Sequence, residues 1–216
     1  MIVYYAERAG PGLLAEPLNA ASNLAFFVAA WAGWRLARRR HALDAGIGAL
    51  LALLLAIGVG STLFHTFASE WSRWLDVIPI LLFQLLYLWL YARRNLAGGA
   101  GAALLALVGF FLVSMLAGLL TALPDSLRMY GGAWLLLFAC GIHRGVRPGP
   151  ERGVLLLAAG VFSLSLFCRA VDLAPWVRAH LPRGTHFLWH VLNGVTLYLS
   201  VRALVASATR IDRRGR

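Results

Sequence analysis

GVGSTLFHTFASEWSRWLDVIP, residues 58–79, closes one apolar run and opens the next. It sets Ser61 and His65 four residues apart, on one face of an apolar helix, with Asp76 eleven residues further on. Ionisable groups are expensive in hydrocarbon, so those inside a membrane span are functional candidates by default. Downstream, GTHFLWHVLNG repeats the device, with His186 and His190 also at i, i+4. Three histidines and an aspartate at membrane depth point to a metal site.

Working outward, the chain has 216 residues, of which 60% are hydrophobic and 13% charged. Soluble domains carry about 25% charged residues, so the composition predicts an integral membrane protein. The net charge of +11 would suggest nucleic acid in a soluble chain. Here every basic residue is arginine, and most lie in short loops between apolar runs, which is the positive-inside pattern and not a polyanion-binding face. The start, MIVYYAERAGPG, has neither the basic region nor the apolar core of a cleavable signal peptide, so the first apolar run is expected to be a retained helix. Cys140 and Cys168 are expected at different depths, too far apart to be bridged.

A span needs roughly 20 apolar residues, and seven runs qualify: 18–35, 45–67, 74–92, 100–123, 127–143, 153–173 and 184–206. The fold expected is all-α, a seven-transmembrane-helix bundle forming a single domain over 1–207, followed by a short polar tail over 208–216. Fourteen arginines fall on one side, in the segments 35–40, 93–94, 144–152 and 202–216. Five fall on the other: Arg8, Arg73, Arg128, Arg178 and Arg183. That asymmetry predicts the amino terminus outside and the carboxyl terminus in the cytoplasm. His65, Asp76, His186 and His190 then all lie in the outer leaflet. The all-arginine basicity and abundant Ala, Gly and Leu suggest a GC-rich bacterial source, hence an inner membrane.

Two histidines at i, i+4 aim both rings at one point. With His65 they make three neutral imidazoles, a set that suits Zn²⁺ with one coordination position left open for catalysis. Asp76 is a fourth ligand, a partner of a ligand or a general base. The favoured roles give Asp76 the proton of a water whose pKa zinc lowers, and give Ser61 a hydrogen bond to the developing oxyanion. Asn19, Ser22 and Asn23 are expected to tie helices together by hydrogen bonds. Arg169 and Asp172, three residues apart, suit an intrahelical ion pair.

Taken together, AEPLNAASN at 15–23, Ser61-x-x-x-His65 with Asp76, and His186-x-x-x-His190 resemble the alkaline ceramidase family. These are seven-helix zinc-dependent lipid amide hydrolases related to the progestin and adiponectin receptors. The resemblance implies zinc on His65, His186 and His190, with Ser61 and Asp76 completing the active site. It implies cleavage of the amide of ceramide, or of a related N-acyl lipid, to a fatty acid and a sphingoid base. It further implies a calcium site, for which Glu16 and Glu7 match two acidic ligands. Ile2 and Val3 stand where a further aspartate is expected, and two carboxylates are few for a cation that takes six to eight oxygens.

The competing reading is a seven-helix lipid receptor or sensor with a structural zinc. A bis-histidine haem protein ranks last, because it has no use for Ser61 or Asp76. The expected partner is therefore a membrane lipid and not nucleic acid.

Overall fold

The structure, a computed structural model, describes residues 4–149 and 151–214. The described residues are all-helical: α1 (Pro17–Ser22), α2 (Leu24–Arg39), α3 (Ala45–Phe67), α4 (Glu70–Asn95), α5 (Gly99–Leu119), α6 (Asp125–Gly145), α7 (Val154–Ala170), α8 (Pro175–His180) and α9 (His186–Arg214). Seven of these pack in a closed ring in the order α2, α3, α4, α5, α6, α7, α9 and back to α2. Helix α9 also reaches across to α1, α3 and α4, so its histidine-bearing start faces the middle of the bundle. Four helices, α3, α4, α5 and α9, are long and apolar enough to cross a membrane by length and composition, and α7 is a shorter apolar helix.

Helix α3 occupies the residues expected for it. The Asp44 side chain accepts from the Ile47 amide at its start, and Ala68 ends it in the left-handed region at φ 45°. The first expected run is two pieces, α1 and α2, hinged at Asn23. Helix α9 continues through Arg214, well into the stretch expected to be a polar tail, and residues 215–216 of that tail lie outside the described residues, as do Ile2 and Val3.

Two residues of the quoted stretch decide how closely α3 and α4 meet. Pro79 has no amide hydrogen, so the Leu75 carbonyl one turn earlier loses its helical donor. That carbonyl lies against Gly60 of α3, where a Cβ would overlap the Leu75 oxygen and come 3.1 Å from the Asp76 nitrogen. The contact brings Asp76 alongside the helix that carries Ser61 and His65. Away from this seam the interior is aliphatic, with Ile47, Leu50, Leu54, Leu155, Val201, Leu204 and Val205 fully buried. The outward face of α5 (Leu105, Val108, Phe111, Leu112, Met115, Leu116) is exposed and apolar, as a lipid-facing surface must be.

Candidate metal centre

His65 sits in the last turn of α3, and His186 and His190 sit in the first two turns of α9. All three are buried, and one ring nitrogen from each lies within 4.8 Å of the others. The residues that surround them fix which nitrogens carry protons. His65 Nδ1 lies 2.5 Å from Glu16 Oε2, a carboxylate, so it is the N–H donor. Ser22 Oγ lies 2.8 Å from the Asn19 carbonyl oxygen and 2.7 Å from His190 Nδ1. A hydroxyl has one proton, and the carbonyl has none to offer. Ser22 therefore donates to Asn19 and accepts from His190 Nδ1–H. Each ring thus donates from Nδ1, which leaves Nε2 as the atom available to a metal, and these two Nε2 atoms face each other at 3.2 Å.

An approach this close places a proton or a metal ion between the two nitrogens. The third ring, His186, stacks on Tyr5 with 3.6 Å between centroids, and its buried Nδ1 has no hydrogen-bond partner among the described residues. The donor set is three neutral imidazoles, two of them with the orienting hydrogen bond typical of metal-ligating histidine, and it fits zinc.

The shell around the triad is built by segments distant in sequence. Arg8, 5% exposed, donates from Nε to Glu16 and from its terminal nitrogen to the His65 carbonyl at 2.7 Å. Asn19 donates to Glu16 Oε2 at 3.0 Å. Burial would raise the Glu16 carboxyl, but the hydrogen bonds from His65, Asn19 and Arg8 outweigh it and hold the group below the usual carboxylate range. Glu7 accepts from the Leu18 and Asn19 amides at 2.9 and 2.7 Å, which satisfies the start of α1. Glu7 and Glu16 thus both bond protein donors.

The expected Arg169–Asp172 ion pair does not form. Asp172 instead accepts from the amides of Ala6, Thr185 and His186 at 2.9, 2.7 and 2.9 Å, capping α9 and pinning the amino-terminal segment to it. Gly184, at φ +71°, leaves the room that Asp172 needs. Arg169 turns inward, donates to the Tyr5 hydroxyl at 3.2 Å and lies over the Tyr5, Tyr130 and Trp189 rings.

A cavity of about 440 Å³ opens beside the histidines, lined among others by Ser61, Asp76, Arg169, His186 and His190. Ser61 is 2% exposed and lines this cavity together with Asp76. The other hydroxyls of α3, Thr62 and Thr66, bond back to their own helix at 2.7 and 2.8 Å. Ser61, Asp76, His186 and His190, four of the five residues expected to form the site, line this cavity, and His65 is buried behind it against His190. Ser22 ties α1 to α9 as expected, through His190. Glu16, Asp172 and Arg8 were not expected in these roles, and of these only Glu16 had an advance signal, the polar spacing Glu16, Asn19, Ser22 along a single helical face.

No curated protein matches the chain. A profile of the ceramidase family matches residues 11–143, which hold Glu16, Ser61, His65 and Asp76 and end before α9 brings in His186 and His190. That match spans more than half of the sequence, and the protein belongs to the ceramidase family.

Proposed function

We propose that the protein is a zinc-dependent intramembrane hydrolase that cleaves the amide bond of ceramide or a related N-acyl lipid, releasing a fatty acid and a free amine. The observation that carries this reading is the convergence of the buried His65, His186 and His190, one ring nitrogen from each within 4.8 Å of the others, beside the cavity that Ser61 and Asp76 line. His65, His186 and His190 would hold the metal, and when bound it supplies a Lewis acid at the amide carbonyl and a lowered pKa for the attacking water. Asp76 accepts the proton of that water as its oxygen bonds to the amide carbon. Ser61 donates its hydroxyl hydrogen to the carbonyl oxygen as it gains charge. The C–N bond then breaks, and the proton held by Asp76 passes to the leaving amine. Arg8 supplies the positive charge beside Glu16, so this reading assigns no role to calcium at Glu7 and Glu16.

The same reading gives the chain seven spans, with the amino terminus outside, the carboxyl terminus in the cytoplasm and the site in the extracytoplasmic leaflet of a bacterial inner membrane. Arginine asymmetry and the ring of seven helices support it.

The experiment pairs metal content with hydrolysis of a fluorescent N-acyl sphingoid or simpler N-acyl lipid. Wild type should carry about one zinc per chain. Asp76→Asn should keep its zinc and lose about 10²–10⁴-fold in rate, and Ser61→Ala about 10²-fold. Undiminished hydrolysis by zinc-loaded Asp76→Asn would sink the mechanism. Turnover of no amide lipid at all by wild type would return the lipid-sensor reading with a structural zinc.

A further inference from the structure

Beyond the histidines the cavity continues inward, and Phe26, Ile57, Ile80, Tyr130 and Trp189 wall both its outer part and an inner chamber. The chamber is surrounded mainly by hydrocarbon and aromatic groups such as Phe83, Phe110, Leu136 and Leu137. One wall residue is out of character. Tyr87 is 8% exposed, and its hydroxyl has no hydrogen-bond partner among the described residues. The ring lies between those of Phe83 and Tyr91, at 6.2 and 6.3 Å between centroids. The neighbouring Tyr91 hydroxyl is already engaged, with the Cys140 carbonyl at 2.9 Å and His143 Nδ1 at 2.7 Å. Gln84, three residues before Tyr87 on the same face of α4, adds a primary amide to the chamber wall.

A buried hydroxyl left unpaired costs stability, and a phenylalanine would fill the same space without that cost. The chamber already uses Phe83, Phe110 and Phe162 for that purpose. We propose that Tyr87 and Gln84 recognise an oxygen atom carried partway along the lipid's acyl chain, so that the preferred substrate is an N-acyl lipid with an in-chain hydroxyl or keto group. This rests on the hydrolase reading above for which bond is cut, but the chain preference is a property of the chamber itself. Gln84 and Tyr87 follow Asp76 by eight and eleven residues on α4. At 1.5 Å of rise per residue they lie about 12 and 16 Å beyond it, roughly ten to a dozen methylenes along an extended chain.

The test compares two substrates with the same amine and the same eighteen-carbon acyl chain, one bearing a hydroxyl about a dozen carbons from the carbonyl. The zinc-loaded wild type should favour the hydroxylated chain by about tenfold in kcat/KM. Tyr87→Phe and Gln84→Leu should each bring the ratio toward parity. A second arm needs no turnover: the two corresponding free fatty acids compete for a bound fluorescent fatty acid, and the hydroxylated one should displace it better from wild type but not from Tyr87→Phe. Equal handling of both chains by wild type in the two arms would overturn the proposal, as would a preference that survives in both variants. Hydrolysis of neither substrate with a hydroxyl preference retained in the competition would remove the hydrolase reading and leave the chamber's selectivity standing.

Discussion

Glu16 accepts the proton of His65 Nδ1 and is itself held by Arg8 and Asn19, so the basicity of the opposite ring nitrogen depends on a carboxylate outside the three-histidine cluster. Glu16→Gln keeps the shape and removes the charge. It should lower zinc affinity by about 10–100-fold, read from zinc retained against a graded chelator, whereas His65→Ala should abolish stoichiometric binding. Wild-type retention in Glu16→Gln would mean that the pair is merely structural. At this scale the cluster of His65, His186 and His190 was legible, because a histidine in an apolar run has few other reasons to be there. Their partners were not. Ser22 meets His190 across 168 residues and Glu16 meets His65 across 49, and no local spacing encodes such contacts. Arg169 and Asp172 illustrate the opposite failure, since helical spacing favoured pairing them while α9 and Tyr5 offered each a better-placed partner.

Between elements, the seam of α3 and α4 sets Asp76 alongside Ser61 and His65. Pro79 frees the Leu75 carbonyl, and the bare Cα of Gly60 lets that carbonyl approach. Gly60→Ala puts a methyl into backbone that cannot swing aside, so the helices must part and carry Asp76 away from Ser61. Overpacking of this kind costs about 1–3 kcal/mol, and a misplaced base costs on the order of 10²-fold in rate. Melting in detergent and N-acyl lipid hydrolysis should both fall for Gly60→Ala. Gly109→Ala, whose added methyl meets nothing within 4 Å, should leave both unchanged. Parity between the two variants would count against the seam. Helix α3 was legible to the residue because Asp44 and the chain's turn at Ala68 bound it locally. The hinge at Asn23 and the short α8 were not, because hydropathy over a window of about 20 residues smooths over breaks of one turn.

Across the whole molecule, charge and aromatic placement define two ends. Arg35, Arg38 and Arg93 lie over Trp31, Trp34 and Trp89 at 4.8, 5.2 and 5.8 Å, and Arg73 lies over Trp74 at 4.6 Å. Such pairs suit a headgroup region, where an indole is half in hydrocarbon and a guanidinium meets phosphate. On the arginine-rich side Glu151 bonds Arg40 and Arg202 at 2.8 and 3.0 Å and Asp44 bonds Arg94 at 2.7 Å, so acidic groups tie the loops together there without cancelling the positive excess. Helix α4 runs from one end to the other. Its 26 residues extend about 39 Å at 1.5 Å each, enough to cross a hydrocarbon core of about 30 Å. Glu70 at its start and Ala97 just beyond its end are both exposed. With the buried Cys140 and Cys168 replaced by serine, Glu70→Cys in intact cells should react with a membrane-impermeant maleimide, and Ala97→Cys should react only after permeabilisation. Labelling in the reverse order would invert the orientation and move the histidine cluster to the cytoplasmic leaflet. Equal labelling of both positions in intact cells would mean that α4 does not span, and the seven-helix reading would fall with it.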